Sequence, residues 1–272
     1  FGTDGIRGPW GSETLNAAIA RGLARALREH FGSSVPIVRD TRESGMAVLS
    51  ALSTGLGAGA VDHGVLPTPA LSAILKSTGA PVGLAITASH NPWQDNGLKV
   101  LGKGGKKLSP EIEKVLDADI DRCMALGSSK EVHVVDDQGA DLYLQAQLKA
   151  LGDLGVYRGL KIAVDAAHGA AYQTAGRLLE QLGVESVLIG VEPDGRNINE
   201  NVGALHPSEL QKTVLEHQCD AGIALDGDAD RCTLVDADGE VVSENPLPDD
   251  LSEEMVRKVR REGFGDIDVR TK

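Results

Sequence analysis

Over residues 13–30, Leu15, Ile19, Leu23 and Leu27 recur every four positions, a spacing that predicts an amphipathic helix with one buried stripe. "VPIVRD" follows as a short strand, then a small-residue helix around "MAVLSALSTGLGAGA", then apolar "VLPTPALSAILKSTG" with a short helix of its own. The uninterrupted run "VGLAIT" reads as a buried strand and "GLKVL" as another. "SPEIEKVLDADIDRCMAL" opens with Ser109 to cap a helix, Pro110 at its first position, and Glu111 and Glu113 in a first turn whose free N–H groups favour negative charge. A further helix at "ADLYLQAQLKAL" carries the chain to a boundary near residues 152–158.

Beyond that boundary the alternation starts again: strand "LKIAVD", helix "AAYQTAGRLLEQLG" closed by Gly183, strand "ESVLIG", the polar loop "EPDGRNINENVGALHP", helix "SELQKTVLEHQ" and strand "AGIAL". Continuous apolar runs such as "LKIAV" and "AGIAL" are what parallel strands need, because helices cover both of their faces. The pattern predicts an α/β protein: two consecutive α/β domains, residues 1–154 and 155–248, with mixed, mostly parallel sheets flanked by helices. From residue 249 the text turns charged, and Leu251, Met255 and Val259 fall on one side of "DDLSEEMVRKVRREGFG". Residues 249–272 therefore read as a solvated helical tail or the start of a further domain.

The length of 272 residues fits two domains of about 100–150 residues each. Aromatic residues are only 3%, so the cores must be aliphatic. Asp+Glu 40 against Lys+Arg 27 leaves a net charge of -13, which argues against nucleic acid or an anionic membrane surface as partner. A local Arg/Lys cluster can still receive a small anion. Three cysteines without a CxxC pair read as reduced thiols of a cytoplasmic protein. There is no run of about 18 apolar residues to span a membrane and no signal-peptide pattern. The chain opens on Phe1 rather than Met, as a processed, trimmed or partial chain would.

Three stretches carry chemistry. In "ITASHNPWQDNGLKV", Ser89-His90-Asn91-Pro92 interrupts an apolar strand where open α/β sheets gather ligands, at a strand's carboxyl end. Ser89 reads there either as a nucleophile or phosphoryl carrier, or as one residue of an ordinary polar turn. A serine hydrolase is disfavoured, since no GxSxG elbow exists. In "GIALDGDADRCTLVD", Asp226, Asp228 and Asp230 alternate just after a strand, so their carboxylates can converge on one hard cation such as Mg²⁺ or Ca²⁺ rather than Zn²⁺. Without a cation they repel one another, and Arg231 supplies a single positive charge. Arg231 and Ala237 occupy the positions where an EF-hand needs Gly and Glu. "DADG" at 236–239 is a surface turn. In "FGTDGIRG", Gly2, Gly5 and Gly8 leave the backbone bare and Arg7 projects from it, a combination that suits phosphate but also describes a flexible terminus. "GKGGKK" at 102–107 matches no phosphate loop and reads as a basic turn.

"FGTDGIRG", "TASHNP" and "DGDADR", in this order, resemble the active-site signatures of the α-D-phosphohexomutase superfamily. "FGTDGIRG" and "PDGRNINENVGALHP" are most similar to the members that act on glucosamine phosphates, and the phosphomannomutase/phosphoglucomutase members come next. The resemblance implies that Ser89 is a phosphoserine, primed by a hexose 1,6-bisphosphate or by autophosphorylation, that moves a phosphoryl group between glucosamine 6-phosphate and glucosamine 1-phosphate. It implies Mg²⁺ on Asp226, Asp228, Asp230 and an oxygen of Ser89, with Lys99 as acid/base. Arg7 and His90 would support the chemistry, and Asn91 and Arg231 would join them in binding phosphate. A cytoplasmic enzyme with a hexosamine phosphate as its partner follows, and a homodimer is allowed. The resemblance covers residues 1 to about 242, two of the family's four domains. The family's sugar-reading and distal phosphate-binding loops have no counterpart, so the chain is expected to hold the chemistry half without the specificity half. Its other role would be a catalytically silent Mg²⁺ or sugar-phosphate binding module. Ala229 stands where many relatives carry Gly, a change the loop is expected to tolerate.

Overall fold

Asn16 turns its side chain onto the helix that follows it, and its Oδ1 accepts from the Ala18 and Ile19 N–H groups at 3.0 and 3.1 Å. The first helix, α1 (Ala17–Phe31), therefore starts behind this cap and four residues later than its apolar spacing indicated. Leu15 is buried ahead of the helix, with Leu23 and Leu27 buried within it. The computed structural model describes residues 5–32, 34–126, 130–152 and 154–243. The tail at 249–272 lies outside the described residues, as do Gly2 and the rest of residues 1–4.

The first sheet contains β1 (Ile6–Pro9), β2 (Val35–Arg39), β3 (Ala60–Val65), β4 (Val82–Ile86), β5 (Asp95–Gly102) and β6 (His133–Val135), in the order β1-β5-β4-β2-β3-β6. Strands β4, β2, β3 and β6 run parallel, and β5 and β1 close the other edge antiparallel. Period-two alternation divides the strands between two cores. Val35, Ile37, Val82, Leu84 and Ile86 pack with α1, α2 (Gly45–Leu56) and α4 (Pro110–Met124). Val38 and Ala85 pack with α3 (Thr68–Thr78), against which Leu142 and Tyr143 of α5 (Gly139–Leu151) also lie. Ser109 caps α4 as its sequence indicated, accepting from Ile112 N–H.

The second sheet, in the order β11-β10-β9-β7-β8, is built from β7 (Lys161–Asp165), β8 (Glu185–Ile189), β9 (Ala221–Leu225), β10 (Cys232–Asp236) and β11 (Val241–Ser243). Strands β8, β7 and β9 are parallel, and β10 and β11 extend the sheet antiparallel. Ala163 and Ala224 face α7 (Ser208–His217), while Ile162 and Val164 face α6 (Thr174–Leu182). Both sheets are thus mixed and flanked by helices, as the alternating pattern predicted.

Three readings need correction. The helix drawn through Ala60 ends at Leu56, and β3 occupies Ala60–Val65. Its Asp62 and His63 broke the apolar run, yet Asp62 is satisfied inside the sheet by Arg39 Nη1 at 2.8 Å. Helix α6 begins at Thr174 rather than at 170, after a stretch of turns. Strands β1, β6, β10 and β11 are short, glycine-bearing or half polar, and no apolar run marks them in the sequence; β1 makes an edge strand of the stretch around Arg7 that reads as a bare glycine loop.

Candidate functional site

Strands β4 and β9 are both parallel strands near the centre of their sheets, and the turns at their carboxyl ends face each other. After β4, Thr87 donates its hydroxyl to buried Asp40 (2.6 Å) and accepts the Ser89 N–H (2.9 Å). Ser89 is 2% exposed and has φ 55, a left-handed conformation that costs a serine roughly 1–2 kcal/mol. That geometry aims its hydroxyl at the second sheet, where Ser89 Oγ donates to Asp226 Oδ2 at 2.7 Å and accepts from Arg231 Nη2 at 2.8 Å.

After β9 the chain turns at Asp226, and Asp226 Oδ1 takes the backbone N–H groups of Asp230 (3.2 Å) and Arg231 (3.1 Å). Asp226, Asp228 and Asp230 each present a carboxylate oxygen within 4.8 Å of the others. A Cβ at Gly227 would stand 2.6 Å from Ser89 O and 2.8 Å from Asn199 Nδ2, so glycine alone lets the two turns meet this closely. Ala229 has φ 53 and is accepted there, but in a backbone that favours glycine by about 1 kcal/mol.

Cations surround this acid cluster. Lys99 Nζ donates to Asp228 Oδ2 (2.6 Å) and Asp230 Oδ2 (2.8 Å). Arg231 reaches Asp226, Ser89 and the His90 ring. Arg7 is brought in by register, since β1 pairs it with Gly97, two residues before Lys99 on β5. Its Nε is buried without a hydrogen-bond partner. A hollow of about 250 Å³ is lined by Arg7, Ser89, His90, Lys99, Asp230 and Arg231.

Eight of the nine residues singled out in the sequence therefore meet. Asn91 does not join them: its Nδ2 bonds Asp95 Oδ2 at 2.9 Å and braces the Ser89 turn from within. Three further neighbours carry no mark in the sequence. Thr68 donates its hydroxyl to Asp228 Oδ2 (2.6 Å) and its N–H to Asp228 O (2.9 Å). Arg42 and Asn199 bind the backbone of the Ser89 turn.

Residues 1–125 match phosphoglucomutase/phosphomannomutase alpha/beta/alpha domain I, and residues 133–239 match alpha/beta/alpha domain II. The chain belongs to the phosphoglucomutase/phosphomannomutase family. Among its relatives in that family, a phosphoglucosamine mutase from Bordetella petrii is 42% identical over 266 residues, covering 91% of this chain and 59% of that protein. One from Mesorhizobium japonicum is 41% identical over 281 residues, covering 97% of this chain and 62% of the other. The crystal structure of a phosphoglucomutase/phosphomannomutase family protein from Burkholderia thailandensis superposes with a TM-score of 0.75 at 31% identity, over 95% of this chain and 58% of that one. The chain spans less than two thirds of each of these relatives.

The charge states of this family member follow from burial and pairing. Burial, reinforced by the charges of Asp228 and Asp230, pushes Asp226 up to about 6. Burial also raises Asp228, but the Lys99 ammonium outweighs it and holds the carboxyl below its usual range. Burial lowers Lys99, and Asp228 with Asp230 overcomes that and leaves it raised, an ammonium at neutral pH. Burial and the Arg231 and Arg7 charges lower His90, so its ring is neutral at pH 7.

Proposed function

We propose that this chain carries the phosphoryl-transfer half of a mutase that interconverts glucosamine 6-phosphate and glucosamine 1-phosphate through a phosphoserine at Ser89. The observation behind this reading is the bridging position of the Ser89 hydroxyl, 2.7 Å from Asp226 and 2.8 Å from Arg231. A phosphoryl group on that oxygen removes the O–H donated to Asp226 and adds about -1.5 to -2 charges, for which Arg231, Arg7 and Lys99 stand ready. The choice of a glucosamine phosphate rests on relatives that bear the name phosphoglucosamine mutase, the two described above among them.

The donor set fits Mg²⁺. It is oxygen-only, its three carboxylates converge, and Asp228 Oδ1 is buried with no hydrogen-bond partner. Asp226, Asp228, Asp230 and an oxygen of phosphorylated Ser89 would hold the ion, whose chemistry is to neutralise charge on the transferring group. The chain's own residues do the rest. As a sugar hydroxyl attacks phosphorus the bond to Ser89 Oγ breaks, and Arg231 Nη2, already on that oxygen, steadies the charge it gains. Lys99, held as an ammonium, is a proton donor in this arrangement. To take the proton of the attacking sugar hydroxyl it must first leave Asp228 and Asp230 and release its own proton, becoming the neutral amine.

The setting we infer is cytoplasmic, since the three cysteines are free thiols. Among the described residues no helix is long and apolar enough to cross a membrane. The net charge of -13 disfavours nucleic acid. The 272-residue protein, incubated with Mg²⁺ and a hexose 1,6-bisphosphate and then mapped by peptide mass, is expected to carry phosphate on Ser89 and to lose it to glucosamine 6-phosphate. Phosphate on another serine, or on none, overturns the carrier role. Discharge by mannose or glucose phosphates alone replaces glucosamine with those sugars.

A further inference from the structure

We propose that Arg42 and Asn199 form a two-sided clamp on the backbone of the Ser89 turn and are positioning residues for phosphoryl transfer, an inference that rests on Ser89 as the carrier. Arg42 approaches from the first sheet. Its side chain is 0% exposed and every guanidinium nitrogen is engaged. Nε donates to Asp40 Oδ2 (2.9 Å), Nη1 to Pro92 O (2.5 Å) and Asp95 O (2.9 Å), and Nη2 to Ser89 O (2.9 Å) and Asn91 O (2.9 Å). Four carbonyls of one seven-residue stretch thus converge on a single planar fork, a geometry that a lysine cannot supply.

Asn199 approaches from the second sheet. Its Nδ2 donates to Ser89 O (3.0 Å) and Asn91 O (3.2 Å), the two carbonyls already held by Arg42 Nη2. Each of these oxygens has two lone pairs, and each receives one donor from either side. Asn199 is itself left-handed (φ 60), a conformation asparagine tolerates, and its N–H is fixed to Ala167 O at 2.9 Å. Buried Asp165, at the end of β7, anchors the whole loop by accepting from Ala167 N–H (2.8 Å) and Gly203 N–H (2.6 Å).

The clamp has a specific consequence. Ser89 at φ 55 relaxes by rotating the peptide plane that carries its carbonyl, and that is the group pinned from both sides. The second sheet supplies both the charges on the Ser89 hydroxyl, from Asp226 and Arg231, and a hold on the Ser89 backbone, from Asn199. The distance from nucleophile to charges is therefore set within one rigid piece, the kind of placement that phosphoryl transfer depends on.

Two variants of the full chain test this. Asn199→Asp keeps size and left-handed tolerance but turns acceptors toward two carbonyls, and Asn199→Gly keeps the backbone freedom and deletes the amide. In both, hydrogen exchange of the Ser89 and Asn91 amides should accelerate while that of β4 is unchanged. The maximal single-turnover rate of Ser89 phosphorylation by a hexose 1,6-bisphosphate should fall about tenfold or more at an unchanged half-saturating concentration. Arg42→Lys should move both readouts in the same direction. Wild-type exchange and rate in both Asn199 variants would overturn the clamp, as would a change confined to the half-saturating concentration or a general rise in exchange across both sheets. A wild-type chain that takes up no phosphate counts against the carrier reading, and the exchange measurement then decides the clamp by itself.

Discussion

Asp228 splits its two oxygens between different tasks: Oδ2 is shared by Thr68 and Lys99, each at 2.6 Å, while Oδ1 is buried without a hydrogen-bond partner. Asp228→Asn preserves the shape and leaves an oxygen for Thr68, so the fold should stand. It removes a charge from the proposed cation site, so Mg²⁺ affinity should drop by about tenfold or more, as read by calorimetry on both proteins. Equal binding would return the acid cluster to a charged turn held by Lys99 and Arg231. At this scale the sequence was readable wherever a side chain broke a local pattern. Asp226, Asp228 and Asp230 alternate where an apolar strand stops, and Ser89 interrupts an apolar run. Arg42 and Asn199 were not readable, because what they bind is backbone carbonyl, which every residue carries and no side-chain pattern marks.

The strand β3 shows the same contrast among elements. Polar Asp62 and His63 hid it from a reading based on apolar runs, and only the sheet discloses that Asp62 pairs with Arg39 of the neighbouring strand. His63 packs against the start of α5, where a Cβ on Gly139 would lie 3.0 Å from its ring. Its side chain is 1% exposed, neither ring nitrogen has a hydrogen-bond partner, and the nearest carboxylate, on Asp136, is 3.9 Å away. Burial pushes the imidazolium below its usual range, against the attraction of Asp136 and Asp62. The native protein therefore keeps His63 neutral while the unfolded chain takes up a proton as pH falls below about 6.5. By linkage this contribution to stability is complete above that pH and is lost as pH falls through it. Urea unfolding at about pH 7.5 and about pH 5.5 should show a smaller acid-side loss in His63→Leu than in the wild type. An identical loss in both would mean that the ring is hydrated or protonated in the native state. Helix α4, by contrast, was legible almost to its ends, and α1 in all but its first turn, since spacing and caps are local signals.

In the whole molecule the two sheets are joined by backbone as well as side chains. Thr68 N–H binds Asp228 O (2.9 Å), Glu43 N–H binds Gly195 O (2.9 Å), and Thr41 Oγ1 donates to His168 O (2.5 Å). Arg196 pairs with Glu43 at 2.7 Å and lies over the Trp93 ring. The existence of two α/β units could be read from the chain because each is a series of local periodicities. The seam could not, since no periodicity says which loop of one sheet faces which loop of the other. Ser89 and Asp226 are 137 residues apart, so the seam also has a place in time. Either sheet can grow from segments close in sequence, whereas closing the loop between these turns waits until both are built. In a pulse-labelled refolding experiment the β2 and β4 amides should become protected first and the Ser89 and Asn91 amides in a later phase. Simultaneous protection would mean that the two sheets fold as one unit. If the first sheet forms first, a chain emerging from the ribosome would hold it finished well before Ser89 has anything to face, and the Ser89 hydroxyl would meet Asp226 and Arg231 only at the last step of folding.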